Sequence, residues 1–208
     1  MPAFDTLISF FFVSIMLGLA PGPDNIYVLT QSAVQGRSAG VVVTLGLCTG
    51  LVLHTTLVAL GIAALIAASP ALFALLKLGG AGYLLYLAYQ AFRADAATVR
   101  TGEGGAVAYG YLYRRGLLMN ISNPKVSVFF LAFLPQFVEA DGAAVTQQMV
   151  ILGGVFILAT LLVFNSIALA AAYLARGLRS SRTAQVVLFR ITGAVLSLLG
   201  LRLLLYQI

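Results

Sequence analysis

The chain has 208 residues, of which 61% are hydrophobic and 9% are charged. Because a soluble domain usually has about 25% charged residues, this composition excludes a water-soluble surface and predicts an all-α integral membrane protein. The net charge of +6 lies mainly in arginine-containing loops, and it therefore indicates a membrane topology rather than nucleic-acid binding.

The apolar stretches predict six transmembrane helices, at residues 6–29, 39–67, 71–92, 114–138, 147–174 and 187–206. Basic residues follow the first, third and fifth of these segments: Arg37; Arg93, Arg100, Arg114 and Arg115; Arg176, Arg179, Arg182 and Arg190. The loops near Ser69 and near Glu139 carry no Lys or Arg. The positive-inside rule then predicts a multi-pass protein of the bacterial inner membrane, with the basic loops in the cytoplasm and both termini outside.

A linker of glycines and charged residues, 93–113, divides the single predicted membrane domain 1–208 into halves 1–92 and 114–208. Each half has three predicted spans. Because three is odd, two similar halves would lie in opposite orientations, as in the inverted repeats of many secondary transporters. We therefore expect two inverted three-helix halves joined in the cytoplasm.

A helix break is predicted in the first span. The stretch LAPGPDNIYVL places Pro21, Gly22 and Pro23 within an otherwise apolar segment, and Asp24 and Asn25 follow at once. Proline removes a backbone donor and clashes with the preceding turn, so the helix cannot continue unbroken. Carbonyls freed inside a bilayer must be satisfied by protein or by a water-filled cavity.

The fourth span contains a second predicted break. The stretch MNISNPKVSVFF holds Pro124, with Asn120 and Asn123 before it and Lys125 after it. Counting residues from the inner ends of the two spans, both breaks fall about 10–15 Å from the cytoplasmic surface at 1.5 Å per residue. We therefore expect the two breaks to meet at a similar depth.

The charges at the two breaks have opposite signs. A charged side chain in the bilayer costs at least about 2.5–3.5 kcal/mol, so such residues normally pair, face an interior or bind substrate. Asp24 and Lys125 are therefore candidate partners for each other or for the two ends of a zwitterion. Two structural alternatives stay open: the prolines could only shape packing, and Asp24 could cap the helix that restarts after Pro23.

Other polar and small residues allow weaker predictions. His54 lies in the middle of a span, where a neutral histidine bonded to a neighbouring helix is favoured over a proton relay. Gly46-x-x-x-Gly50 permits a close helix contact, within the protein or between two copies in a homodimer. Three tyrosines near the inner end of the third span are predicted interfacial anchors, of which the first two could reach a cavity: Tyr83, Tyr86 and Tyr89.

Two motifs carry a family resemblance that extends over the whole chain. The stretch LGLAPGPDNIYVLTQSAVQGRSAGVVVTLGLCTG and the later NISNPKVSVFFLAFLPQF, in this order and within six predicted spans, resemble the LysE/RhtB family of amino-acid exporters. The resemblance implies efflux of amino acids from the cytoplasm, driven by an ion gradient. It places these residues in the two family motifs: Pro21, Gly22, Pro23 and Asn25; Asn123, Pro124 and Lys125.

Charge balance suggests the substrate. One deep carboxylate and one deep ammonium can receive a neutral zwitterion without net burial of charge, so we expect small neutral amino acids of the threonine or homoserine kind. The alternative is an exporter of basic amino acids, or of a metal or other small ion, with the same architecture.

The predicted mechanism is proton antiport. Asp24 is the one carboxylate well inside the predicted spans, so it is the candidate coupling residue, with Asn25, Asn120, Asn123 and Lys125 as further substrate-binding candidates. The hinges would lie at the proline breaks: Pro21, Gly22, Pro23 and Pro124. The sequence contains no HExxH or GxSxG motif, and it predicts no enzyme activity, no cofactor and no metal site.

Overall fold

The computed structural model describes residues 2–68, 70–94, 107–139, 143–180 and 182–205, and all regular structure within these ranges is helical. The helices are α1 (Phe4–Leu19), α2 (Pro23–Gln35), α3 (Arg37–Ala68), α4 (Pro70–Arg93), α5 (Tyr109–Ile121), α6 (Pro124–Val128), α7 (Val145–Ser180) and α8 (Arg182–Leu205). Helix α6 continues as a π-helical segment, Phe129–Phe133, and a 3₁₀ turn, Leu134–Phe137.

Among the described residues, two helices are long and apolar enough by themselves to cross a membrane, within Arg37–Gly61 of α3 and Val145–Ala171 of α7. Two bent pairs also qualify when each pair is taken as one span: α1 with α2, and α5 with the segment from Pro124 to Phe137. The described helices occupy the places of all six predicted segments, and up to four spans meet this length and hydropathy test. The six-span count and the inverted halves stay predictions.

Several of the predicted loop features fall outside the described residues. Helix α4 ends at Arg93 and α5 begins at Tyr109, so the described connection is shorter than the predicted linker 93–113, and residues 95–106 with Arg100 are not described. The side chains of three predicted cytoplasmic arginines are also outside the description: Arg176, Arg179 and Arg182. The same holds for Ser69 and for residues 140–142 beside Glu139.

Helix α3 packs against α5 and α7, α4 packs against α8, and α1 and α2 both pack against α7. Glycines allow the close approach of α3 and α5. A side chain at Gly46 would overlap the main-chain carbonyl of Tyr113, and one at Gly116 would overlap the carbonyl of Val43. The close contact expected at Gly46 and Gly50 is therefore found within the protein, between α3 and α5.

Phenylalanine rings fill the core beyond the second break. Phe129, Phe130 and Phe133 come from the π-helical segment and are fully buried. Phe129 packs against Phe10 and Phe156 with ring centroids 5.8 and 5.1 Å apart. The aromatic rings of the π-helical segment thus form one cluster with rings of α1 and α7.

A polar clasp joins the start of α1 to the segment before α7. One carboxylate oxygen of Glu139 accepts hydrogen bonds from the N–H of Ala3 (2.9 Å) and the hydroxyl of Thr6 (2.8 Å). The buried Gln148 side chain accepts from the N–H of Glu139 and donates to the carbonyls of Glu139 and Ala143. Glu139 thus satisfies a donor at the N-terminus of α1 that would otherwise lack a helical partner.

Candidate functional site

The first helix break lies between α1 and α2, whose axes differ in direction by 65°. Helix α1 ends at Leu19, and α2 restarts with Pro23 as its first residue. Proline is favoured at this position because its missing N–H is one that no helical carbonyl would receive. Gly22 has an extended backbone before α2, and no side chain caps that end of the helix.

The second break lies between α5 and α6, with a bend of 48°. Helix α5 ends at Ile121, and Pro124 is the first residue of α6. Asn123 precedes it, and its amide oxygen accepts a hydrogen bond of 3.0 Å from the N–H of Lys125. Asn123 therefore has the role of an N-cap, which satisfies one of the free donors of the new helix.

Side chains satisfy the carbonyls that the first break leaves free. The ammonium of Lys125 donates to the carbonyls of Leu17 (3.3 Å) and Ala20 (2.9 Å). The amide nitrogen of Asn25 donates to the carbonyl of Gly18 at 2.7 Å. The positive charge of Lys125 also lies at the C-terminal end of α1, where the helix dipole is negative. The break is thus compatible with a low-dielectric surrounding.

The second link between the breaks also has its donor at the second break. The carboxylate of Asp24 is 4% exposed, and its Oδ2 accepts a hydrogen bond of 2.7 Å from the amide nitrogen of Asn123. In both links the second break therefore supplies the hydrogen-bond donor and the first break supplies the acceptor. This geometry brings the breaks together, as expected from their predicted depths.

The expected pairing of Asp24 with Lys125 is found only as a longer-range electrostatic interaction. No ion pair joins them within the described part of the chain, since Lys125 donates to main-chain carbonyls and Asp24 accepts from Asn123. The physical reason is that the freed carbonyls of α1 compete for the ammonium. The sequence gives no sign of this competition.

A cavity of about 360 Å³ lies between the two breaks and helices α4 and α8. We call it the main cavity. Its polar and break-forming lining comes from these residues: Pro21, Gly22, Pro23, Tyr83, Gln90, Asn123, Pro124, Lys125 and Thr192. Its volume is within the range of about 300–1,000 Å³ that is usual for small-molecule sites. Ala91 and Ala94 also line it, so the cavity lies at the C-terminal end of α4.

Sequence reasoning found part of this lining. Tyr83 reaches the main cavity, which was one of the two expectations for this tyrosine, whereas Tyr86 and Tyr89 are exposed. Gln90 and Thr192 were not predicted as lining residues. Neither residue is charged or lies beside a helix break in the sequence, and the packing of α4 against α8 brings both to the cavity.

A second, much smaller pocket lies on the other side of Lys125. We call it the inner pocket; its volume is about 20 Å³. Its polar lining consists of Asp24, Asn120, Lys125 and Thr160. Oδ1 of Asp24 and Oδ1 of Asn120 are buried and have no hydrogen-bond partner among the described residues. Lys125 lines both the inner pocket and the main cavity.

His54 lies beside this site. Its Nε2 is 3.4 Å from the main-chain oxygen of Asn120, and its ring is 5.6 Å from that of Phe130. This contact with a neighbouring helix agrees with the structural interpretation that the sequence favoured. The five polar residues expected at the site are brought together at the two breaks: Asp24, Asn25, Asn120, Asn123 and Lys125. Their roles in transport stay predictions.

Comparison with known proteins shows the family to which the chain belongs. The profile of the LysE type translocator family matches residues 15–207, which include both breaks. No solved structure matches the chain.

Some relatives match nearly the whole chain, and others match somewhat more than half of it. A homoserine/homoserine lactone efflux protein of Salmonella typhimurium is 30% identical over 200 residues, 93% of this chain and 97% of the relative. An uncharacterized membrane protein of Bacillus subtilis, YrhP, is 29% identical over 206 residues, 95% and 97% of the two chains. A leucine efflux protein of Salmonella choleraesuis is 32% identical over 127 residues, 61% and 60% of the two chains. The chain therefore belongs to the LysE family of membrane translocators, and it is a transporter rather than an enzyme.

Proposed function

We propose that this protein exports small neutral amino acids from the cytoplasm, in exchange for protons. Family membership supports a transporter, and two relatives are named for the efflux of homoserine or its lactone and of leucine. The observation that carries the proposal for this chain is the main cavity, because both helix breaks and the Lys125 ammonium border it. Sites between discontinuous helices are the usual substrate sites of secondary transporters.

The charges at the site favour a zwitterion. One carboxylate, Asp24, and one ammonium, Lys125, lie at the breaks. A substrate that carries one positive and one negative charge therefore adds no net charge to the site. The substrate carboxylate would lie in the main cavity near Lys125 and the uncapped start of α2, beside Gly22. Free N–H groups and the positive end of the dipole make a helix N-terminus favourable for an anion. The substrate ammonium would face Asp24.

The position of the main cavity suggests which state is described. It is lined by the C-terminal end of α4, the end of that helix which the positive-inside rule assigns to the cytoplasm. The phenylalanine cluster lies beyond the second break, towards Phe137 and the Glu139 clasp. This arrangement supports an inward-facing state, in which substrate enters from the cytoplasm and aromatic packing closes the opposite side.

Protonation of Asp24 would couple the gradient to export. In the outward-facing state, a proton bound to the carboxylate removes its charge and releases the substrate ammonium. After return to the inward-facing state, loss of the proton restores the charge and the next substrate binds. The bends at Pro21, Gly22, Pro23 and Pro124 would act as the hinges between the two states, because helices that are already interrupted there can reorient without losing further hydrogen bonds.

Asp24→Asn tests this mechanism. The amide keeps the size of the side chain and an oxygen that can accept from Asn123, but it cannot carry the charge. In inverted membrane vesicles, proton-driven accumulation of labelled threonine and homoserine should be lost, while the variant is still inserted and folded. Asp5→Asn is the matched control, since Asp5 is exposed near the start of α1, far along that helix from the break.

Two results would contradict the proposal. Full gradient-driven export by Asp24→Asn, with the pH dependence of the wild type, would exclude Asp24 as the coupling residue. Transport of lysine or arginine with no transport of neutral amino acids would exclude the proposed substrate class and favour the basic-substrate alternative.

A further inference from the structure

We propose that the inner pocket binds the primary ammonium group of the substrate, and that Asn120 acts with Asp24 as its ligand. This inference deepens the proposed function and rests on it for the identity of the whole substrate. The inner pocket itself is defined by geometry alone: about 20 Å³ between Asp24, Asn120, Lys125 and Thr160, with an otherwise apolar lining that includes Leu17, Val126 and Phe156.

Two unused acceptors line this pocket. Oδ2 of Asp24 is engaged by Asn123, whereas Oδ1 has no partner. Oδ1 of Asn120 likewise has no partner. The two residues are 4% and 3% exposed, and buried polar atoms in folded proteins are almost always hydrogen-bonded. Two buried acceptors beside one pocket indicate that its occupant is a donor of hydrogen bonds.

A primary ammonium fits this pocket in charge, in its number of hydrogen-bond donors and in size. It has three N–H donors and no acceptor, so it can satisfy Asp24 and Asn120 together. A pocket must offer at least about 10–15 Å³ to hold one water-sized group, and 20 Å³ meets this requirement with little to spare. Further methyl groups on the nitrogen, beyond the one carbon substituent of a primary amine, would remove donors and exceed the available space. The pocket is therefore specific for primary ammonium groups over secondary, tertiary and quaternary ones.

The charge of Lys125 does not remove Asp24 from this role. The Lys125 ammonium donates to Leu17 and Ala20 at the C-terminal end of α1, where partial negative charge accumulates. The carboxylate is thus left with one oxygen available for a ligand. A proton would bind the same carboxylate, so ammonium binding and protonation compete at Asp24.

Asn120 also packs against α3. A side chain at Gly50 would come within 2.6 Å of the Asn120 amide oxygen and within 2.8 Å of its Cβ, so glycine is needed for this contact. The main-chain oxygen of Asn120 is also 3.4 Å from His54 Nε2. These contacts limit the movement of the Asn120 amide and make it a fixed ligand rather than an adaptable one.

Methylammonium is the probe that tests the pocket without assuming the whole substrate. Thermal unfolding of the purified full-length protein would be measured with methylammonium chloride and with tetramethylammonium chloride at equal ionic strength. A ligand that binds only the folded state raises the midpoint with concentration. We expect methylammonium to raise it and tetramethylammonium, which has no N–H donor, to have at least tenfold weaker apparent affinity.

Substitutions test whether methylammonium binds in the inner pocket. Asn120→Ala should weaken methylammonium binding at least tenfold, and Asn120→Asp, which keeps an oxygen and adds a charge, should retain or strengthen it. Asn165→Ala is the matched control, because Asn165 also has a buried amide oxygen without a partner but does not line the inner pocket. It should bind methylammonium like the wild type.

The outcomes separate the two proposals. Equal effects of the two cations on the wild type, no effect of either, or wild-type binding by Asn120→Ala would overturn the ammonium site. Selective methylammonium binding in a protein that does not export neutral amino acids would support the site and overturn the proposed substrate class.

Discussion

Gly46 of α3 provides a test of the helix packing that positions the site. A Cβ at this position would overlap the main-chain carbonyl of Tyr113 in α5 and lie 2.9 Å from the N–H nitrogen of Leu117. Both atoms belong to the backbone of α5, so no side-chain rotation relieves the clash. Gly46→Ala should therefore push α5 away from α3, and with it Asn120 at the end of α5.

The size of the effect follows from the cost of overpacking. Added methyl groups in a well-packed core cost about 1–3 kcal/mol. For a protein of this length, each kcal/mol corresponds to a change in melting temperature of about 2–4 °C, so we expect a decrease of about 2–12 °C. The assay is thermal unfolding of the detergent-solubilised protein, followed by far-ultraviolet circular dichroism.

Gly61 provides the matched control on the same helix. Among the described residues, no atom lies within 4 Å of a Cβ placed there. Since alanine is favoured over glycine in a helix by up to about 1 kcal/mol, Gly61→Ala should raise the melting temperature by a few degrees. The two glycine-to-alanine changes thus have opposite expected signs. If Gly46→Ala were as stable as Gly61→Ala, the close packing of α3 on α5 would be wrong.

Two further predictions concern the ends of the spans. Hydrogen bonds from Ala3 and Thr6 lower the pKa of Glu139 below its ordinary value of 4.5. These hydrogen bonds therefore contribute fully to folding stability above pH 4.5. Their contribution is lost as the pH falls through the lowered pKa, because the carboxylate then takes up a proton. The melting temperature of Glu139→Gln should therefore depend less on pH over the acidic range than that of the wild type; parallel curves would contradict this. A cysteine replacing Asp141 should react with a membrane-impermeant thiol reagent in intact cells, whereas one replacing Gly104 should not, and labelling at 104 would reverse the predicted topology.

The sequence predicted the breaks because their cause is local. Proline cannot continue a helix, so Pro23 and Pro124 fix where α2 and α6 begin whatever surrounds them. The polar residues of the site were predictable for a similar reason, since few charged or amide groups lie within apolar segments. The close helix approach at Gly46 was also predictable, because small residues at helical spacing indicate contact between helices.

Which polar groups bond to each other across the two breaks could not be predicted from local sequence. Lys125 is 105 residues from Ala20, and the choice between that carbonyl and the Asp24 carboxylate depends on how α1 and α6 pack. The lining contributed by Gln90 and Thr192 has the same origin, because the packing of α4 against α8 decides which residues of these helices reach the cavity. The π-helical turn at Phe129–Phe133 also lacks a sequence signal: a run of apolar residues is compatible with several helical forms.

The hydrogen bonds that join the two breaks have a consequence for synthesis and insertion of the chain. The ribosome completes α1 and α2 long before Lys125 and Asn123 exist, yet these residues satisfy the carbonyls of Leu17 and Ala20 and the carboxylate of Asp24. Until then the N-terminal half carries exposed polar backbone and an unpaired charge in the bilayer, which is costly there. Each half is consequently an incomplete membrane protein, and the chain matures only when the second half inserts beside the first.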